Sequence, residues 1–360
     1  MKQFQTNKSN LTESRQVPSK PIEISNGEIH LKVDRFAFTA NNVTYAVMGD
    51  RLRYWEFFKP QGENADQWGI IPVWGFADVI ESKCDDIPVG ERLFGYFPPA
   101  HELSLKPSKV SAAAFIDASE HRISLPAGYN LYRRTSAEPD YNRKGDNERM
   151  LLFVLHLTSY CLHDMLQSND WFNAQQVIVI SASSKTSTGL GYGLVNDPKA
   201  PIAIGLTSAR NIDLVNSIGA YDQAFTYEDI EKIDANVPTV IVDMSANTDV
   251  LSRLHIHLGD NMRFTSNVGL THWDEPQNVS GINQERSEMF FAPAHIQQRI
   301  GDWGRQEFDE KSNSYIISSI SKSREWMNVR ELNGLDELAG VYANICNGLV
   351  APDEGLVVTL

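Results

Sequence analysis

Residues 177–194, VIVISASSKTSTGLGYGL, decide the fold. A β-branched apolar run from Val177 to Ile180 gives way to small and hydroxyl residues, and then to an apolar stretch that contains glycine. That order predicts a strand, a tight loop and a helix start. A loop so placed aims backbone N–H groups and the positive end of a helix dipole at one point, which is how α/β proteins grip a phosphate. Such loops usually need glycine for the tight turn and for close backbone approach to a pyrophosphate. Ser181, Ser184, Lys185 and Ser187 stand here instead. Two readings stay open: an altered phosphate cradle of hydroxyls and one cation, or a relic loop that its own side chains solvate. SSKT faintly echoes a P-loop, but GxxxxGK[ST] is missing, so a nucleotide triphosphatase is rejected.

Upstream, residues 22–141 carry short alternating runs split by Pro and Gly: EIHLKVDRFAF, WGIIPVWGFADVIES, GERLFGYF and HELSLKPSKV. They predict a β-rich domain, a partly closed barrel. Within it TANNVTYAVMG, residues 39–49, mixes polar with apolar residues as a functional loop or short helix does. The charged, turn-rich SAEPDYNRKGDNER, residues 136–149, marks a domain boundary. Beyond it residues 150–166 read as a helix, and 177–181, 202–206 and 239–243 as strands, each followed by helical pattern. Strands alternating with helices predict a doubly wound parallel sheet. FFAPAHIQQRIGDWG and SYIISSISKSREWMN have helical character, and the terminal GLVVTL reads as a strand returning to the first domain. The expected organisation is a β-rich domain over 1–145 with 320–360 returning to it, and a nucleotide-binding domain over 146–319.

The 360 residues suffice for two domains with real cores. A net charge of -14 without a basic stripe excludes nucleic acid and anionic membrane as expected partners and leaves a small-molecule substrate. Cys84, Cys161 and Cys346 show no CxxC spacing and cannot all pair, which fits a reducing compartment. The polar N-terminal stretch lacks the apolar core of a secretory signal, and residues 150–166 are interrupted by His156, Ser159, His163 and Asp164. A cytoplasmic protein is expected.

Together, these motifs resemble the medium-chain dehydrogenase/reductase superfamily, specifically its zinc-free quinone oxidoreductase-like branch. GEIHLKVDRFAFTANNVTYAVMG looks like the opening strand and active-site loop of that branch, and IPVWGFADVIES and PVGERLFGY resemble its central barrel strands. IAIGLTSARNIDLVNSIGAYDQAFTY is similar to the second unit of its nucleotide-binding domain, and GLDELAGVYANICNGLVAPDEGLVVTL to its closing helix and strand. The likeness runs from about residue 20 to the end, in the family's order. It implies an α/β fold made of a GroES-like β-barrel domain plus a Rossmann doubly wound parallel sheet, with NADPH between the two domains and a homodimer formed through the Rossmann sheets. Zinc-dependent members bind metal through a Cys and a Gly-His-Glu segment. The matching stretch here is Val73-Trp74-Gly75-Phe76-Ala77, so no catalytic zinc is expected.

Site residues follow from both lines. Ser183, Ser184, Lys185 and Thr186 lie in the phosphate-facing loop, where lysine supplies a point charge. At the end of the second strand an acid would hydrogen-bond the 2′-hydroxyl of NAD and repel the 2′-phosphate of NADP. Ser208 and Arg210 with no acid favour NADPH, although an Arg at a solvated helix start is equally ordinary. The resemblance makes Tyr45, with Asn41 or Asn42 under a one-residue uncertainty, the group that meets the substrate carbonyl. A phenol suits the role as a hydrogen-bond donor, while Asn-Asn before a short helix also suits plain capping. Val268 and Gly269 match the strand end that touches the nicotinamide, His272 is a proton-shuttle candidate beside it, and Asp243 and Asn247 end the third strand. His255 and His257 look like a metal pair, yet i,i+2 residues point to different sides of a helix. The expected function is an NADPH-dependent oxidoreductase passing hydride to a quinone or α,β-unsaturated carbonyl. The alternative is a non-catalytic nucleotide-binding or scaffold protein that keeps the fold.

Overall fold

Residues 1–268 and 281–360 are described by the computed structural model. They divide into two units, Met1–Leu151 with Asn328–Leu360, and Leu152–Met327. The chain opens on β1 (Lys2–Asn7) and β2 (Ser14–Pro18), then β3 (Ile29–Ala37) and the short helix α1 (Ala40–Val47). Next come β4 (Trp68–Gly69), β5 (Val73–Ser82), β6 (Arg92–Phe97), β7 (Glu102–Leu105), β8 (Pro107–Ser108), β9 (Ala114–Asp117) and β10 (Leu131–Arg134). Along β3 Ile29, Leu31 and Val33 are buried while Lys32 between them is exposed, the period-2 pattern of a half-buried strand. Phe36, Phe76, Phe94 and Tyr132 fill the core of this unit, each worth roughly 1.5–3 kcal/mol on burial.

α2 (Asp146–Ser168) belongs to the second unit from Leu152 onward. There follow β11 (Gln176–Ile180), α3 (Lys185–Asn196), β12 (Ile202–Thr207), α4 (Ile212–Ser217), β13 (Gln223–Thr226), β14 (Thr239–Asp243), α5 (Thr248–Leu258), β15 (Met262–Asn267) and β16 (Ser287–Met289). Helices α6 (Ala292–Trp303) and α7 (Arg305–Ser323) complete it. The strands of the sheet lie in the order β13-β12-β11-β14-β15-β16, all neighbours parallel. Counted within the sheet this is 3-2-1-4-5-6, so the strand order reverses between β11 and β14. Successive residues serve opposite faces. Val177, Val179, Val240 and Val242 pack on Leu162 and Leu166 of α2 and Leu190 and Leu194 of α3. Ile178, Ile180 and Ile241 pack on Val250, Leu251 and Leu254 of α5.

Between α2 and β11, Asp170, Trp171, Phe172 and Asn173 all have positive φ, from 49° to 55°. A left-handed turn costs about 1–2 kcal/mol per L-residue. Burial of Trp171 and the stacking of Phe172 on Phe264, ring centroids 4.0 Å apart, offset it.

The chain then returns to the first unit through β17 (Asn328–Asn333), α8 (Gly334–Cys346) and β18 (Glu354–Thr359). β18 pairs antiparallel with β3 and parallel with β17, giving the path β17-β18-β3-β5-β6-β10-β9-β8, with β7 beside β3. A smaller sheet, β2-β1-β4, lies in the same unit. Among the described residues no helix is long and apolar enough to cross a membrane.

Candidate functional site

In the second unit the loop from β11 to α3 lies at the carboxyl end of the sheet's first strand, beside the point where strand order reverses. Open α/β sheets bind ligands at that position. Ser181 takes φ of 63°, the left-handed conformation that glycine adopts without strain. Its carbonyl accepts the Ser184 N–H at 2.8 Å, closing the turn. Ser184 then caps α3: its side-chain oxygen accepts the Ser187 N–H at 3.2 Å, and its hydroxyl meets the Ser187 hydroxyl at 2.8 Å. Ser187 is fully buried, with its hydroxyl 3.1 Å from the Met244 sulfur. Ser183 is buried as well, and its hydroxyl accepts from the Asn211 amide at 3.0 Å. Thr186 offers its carbonyl to the Ser159 hydroxyl of α2 at 2.7 Å. Lys185 is the first residue of α3 and half-buried. The hydroxyls of Ser183, Ser184 and Ser187 therefore hold the loop's own shape, and the features that suit an anion are the first turn of α3 and the Lys185 charge.

Glycine is displaced rather than absent. Gly189, Gly191 and Gly193 lie within α3, where a side chain at Gly189 would meet the Ser159 hydroxyl at 2.6 Å and the His156 ring at 2.7 Å. His156 beneath it is fully buried, its Nδ1 2.7 Å from the Ser319 hydroxyl, and burial depresses its pKa to about 3. It is a neutral packing group.

At the end of β12, Ser208 is half-buried and precedes a short 3-10 turn, and Arg210 in that turn is exposed. Residues 207–211, Thr-Ser-Ala-Arg-Asn, contain no acid. At the end of β14, Asp243 is buried and stands in register with Asn267 of β15. Burial pushes its carboxyl above the usual range, against hydrogen bonds to Oδ1 from the Ser245 N–H at 2.8 Å and hydroxyl at 2.7 Å. Asp243 Oδ2 and Asn267 Oδ1 are both buried without a hydrogen-bond partner among the described residues. The Val268 N–H donates to the Asp243 carbonyl at 2.8 Å. Gly269 and His272 lie outside the described residues. Asn247 caps α5 through Oδ1, which accepts from Asp249 N and Val250 N at 3.2 Å each.

His255 and His257 are both engaged. The Asn283 N–H donates to His255 Nδ1 at 3.0 Å, which leaves its Nε2 to donate to the Thr265 hydroxyl at 2.9 Å. His257 Nε2 donates to the Ile233 carbonyl at 2.8 Å. Burial depresses the His255 pKa to about 4. Among the described residues, no group of three His, Cys, Asp or Glu side chains is placed to hold a metal.

In the first unit α1 carries Asn41, Asn42 and Tyr45. Asn42 is buried and its amide is consumed locally: Oδ1 accepts the Thr39 N–H at 2.7 Å, and Nδ2 donates to the Pro72 carbonyl at 2.9 Å. Asn41 is half-buried on the same turn and faces the Tyr45 hydroxyl. Tyr45 is buried among aromatic rings, with Tyr54 at 4.6 Å and Tyr96 at 5.6 Å between centroids. Its hydroxyl accepts the Trp74 indole N–H at 3.3 Å. Burial first, and Tyr54 second, push the phenol well above its ordinary pKa, so it keeps its proton. Sequence reasoning does not reach Trp74, Tyr54, Tyr96 and Tyr129 as members of this site. They come from separate strands and turns, and the density of Tyr and Trp in the β-rich part is the sole signal that could have found them.

The sequence of residues 36–351 matches the family described as protein of unknown function (DUF2855). No curated protein sequence matches the chain. Among solved structures it is similar to CurA in complex with NADPH from Vibrio vulnificus, at 11% identity and a TM-score of 0.62 over 100% of this chain and 99% of that one. It is also similar to the quinone oxidoreductase from Thermus thermophilus, at 13% identity and a TM-score of 0.58 over 100% of both chains. A mutant form of enoyl thioester reductase from Candida tropicalis matches at 11% identity and a TM-score of 0.56, again over 100% of both. The shared fold is a GroES-like domain plus a Rossmann domain. By its sequence, the chain belongs to the DUF2855 family, which here is seen to carry that fold.

Proposed function

We propose that the protein is an NADPH-dependent, zinc-independent oxidoreductase that reduces a quinone or an α,β-unsaturated carbonyl compound. The observation that carries this reading is the 3-2-1-4-5-6 sheet, with a capped twelve-residue helix following its first strand through the tight turn at residues 181–184. The residues fit the cofactor: the turn closes in the backbone conformation of glycine at Ser181, and a cation stands at the first position of α3. The first turn of α3 and Lys185 would hold the pyrophosphate. Ser208 and Arg210 would hold the 2′-phosphate, with no acid among residues 207–211 to repel it. When bound, NADPH supplies the hydride. Tyr45, assisted by Asn41, orients and polarises the acceptor's carbonyl oxygen, and Asn42 serves the backbone of α1. Structures of similar fold crystallised with NADPH support the cofactor.

The test is titration of the purified protein with NADPH, followed by cofactor fluorescence or calorimetry. Saturable binding is expected, and none at millimolar cofactor sinks the proposal. Lys185→Ala should weaken binding about tenfold, the loss of one charge-assisted contact worth ~1.5 kcal/mol. Unchanged affinity would remove the loop from the site. The inward-turned hydroxyls of Ser183, Ser184 and Ser187 favour one second reading, a nucleotide-binding protein without turnover. NADPH that binds but is never oxidised by a panel of quinones and enones selects it.

A further inference from the structure

Around Tyr45 the first unit gathers phenol and indole groups from separate elements, Tyr54, Trp74, Tyr96 and Tyr129. Tyr129, half-buried, has its ring centroid 6.2 Å from that of Tyr45, and its hydroxyl lies 3.0 Å from the Tyr54 hydroxyl. Tyr96 has its ring 4.8 Å from Tyr129 and 5.2 Å from Trp74, and its hydroxyl is fully buried without a hydrogen-bond partner among the described residues. An unsatisfied buried hydroxyl costs about 1–3 kcal/mol, and an oxygen placed beside the Tyr96 hydroxyl would relieve that cost. It offers rings and hydroxyls rather than charge. Arg122 beneath it is buried and committed to the Asn130 side chain, the Tyr132 hydroxyl and the Tyr129 carbonyl at 2.8 Å each, and lies 3.1 Å from Asp117.

The direction of the hydrogen bonds carries the argument further. An indole N–H donates and cannot accept. The Tyr45 oxygen therefore accepts from Trp74, and the Tyr45 proton must find its acceptor elsewhere. The Asn41 side chain and the Tyr129 hydroxyl also lie against that oxygen. We propose that Trp74 is a positioning residue: its indole N–H holds the Tyr45 oxygen as an acceptor and so commits the Tyr45 proton to the carbonyl oxygen of a flat, uncharged acceptor molecule. This rests on the reading of Tyr45 as the group that meets the substrate carbonyl.

The test uses the full chain and duroquinone as the probe. With NADPH present, Trp74→Phe keeps an aromatic ring but loses the donor. Its kcat should fall about tenfold, less than the 10²–10³ lost when a transition-state donor is itself deleted. KM for NADPH should stay within about twofold, since uniform cofactor binding is untouched. Trp74→His, which restores a ring N–H, should recover much of the loss. A separate readout needs no turnover: in protein labelled with ¹⁵N-tryptophan, the Trp74 indole resonance should move in Tyr45→Phe, and again when duroquinone is added without NADPH. It is assigned by its disappearance in Trp74→Phe or, should that variant not fold, in Trp74→Tyr. An indole resonance unmoved in Tyr45→Phe, or an undiminished kcat in Trp74→Phe, overturns the proposal. If the wild type never oxidises NADPH while the resonance responds to both changes, the reductase reading fails and the Trp74–Tyr45 arrangement stands as a carbonyl-binding device.

Discussion

Asp243 and Asn42 show how far one side chain's surroundings outweigh its type. Both are polar residues in stretches that the sequence marks as functional, and both are buried. Asn42 spends its amide on α1 and the Pro72 carbonyl, which makes its neighbour Asn41 the residue that faces Tyr45. Asp243 ends a strand with Oδ2 buried and no hydrogen-bond partner among the described residues, so a retained proton lowers the cost of burying that carboxyl. Its folded pKa is raised by burial. Its contribution to stability is therefore complete below the unfolded value of a carboxyl and lost as pH rises through the folded value. Asp243→Asn removes that loss. In urea unfolding the variant should gain on the wild type as pH rises above the ordinary carboxyl value, and a difference that does not change with pH would show an ionised carboxylate there.

At the scale of elements, α3 explains how a nucleotide-type loop closes without its glycines. The capping serine and the inward hydroxyl of Ser187 stabilise the turn chemically, while the glycines further along the helix let it approach its neighbours. Gly191 is the one of the three confined by backbone, because an added Cβ would collide with the Ala220 carbonyl and lie 2.9 Å from the Tyr221 ring. Gly191→Ala raises helix propensity, yet it should destabilise the protein by about 1–3 kcal/mol through overpacking. Thermal unfolding would read this, and an unchanged or higher Tm would mean that α3 can shift outward freely. Some elements left no usable trace in the sequence. β1 buries Gln3, Gln5 and Thr6 along with Phe4, so its polarity hides a strand. The left-handed turn at residues 170–173 contains no glycine, and the packing of Trp171 and Phe172 sustains it.

For the whole molecule, titration should set the acid limit of stability in two stages. His156 and His255 are held neutral by burial, at about 3 and about 4. The unfolded chain takes up protons there first, so stability falls as pH drops below about 6.5, the ordinary histidine value. Asp34 and Asp164 follow. Burial raises both, but Arg92 and Arg35 around Asp34, and His295 and Arg299 around Asp164, hold them below the usual carboxyl value. Their contributions are present above the unfolded carboxyl pKa and vanish as pH falls through the folded one. Circular dichroism melts should show a shallow decline in Tm below about pH 6.5 and a steep one below about pH 4. A Tm flat down to pH 4 would mean that the two histidines are solvated in solution.

Sequence alone determined what depends on near neighbours. The period-2 runs of the β-rich part, the β-branched strands at residues 177–181, 202–206 and 239–243, and the Ser–Lys loop ahead of a helix are local patterns, set by which side chains share a face. They were enough for the α/β class and for the resemblance to a GroES-like plus Rossmann fold. Tertiary structure decided what depends on partners far along the chain. The reversal of strand order between β11 and β14, the pairing of β18 with β3, the inward turn of the loop hydroxyls and the meeting of Trp74 with Tyr45 join residues separated by tens to hundreds of positions. No local pattern encodes such pairings, because they follow from which buried surfaces and hydrogen-bonding groups find one another as the whole chain closes.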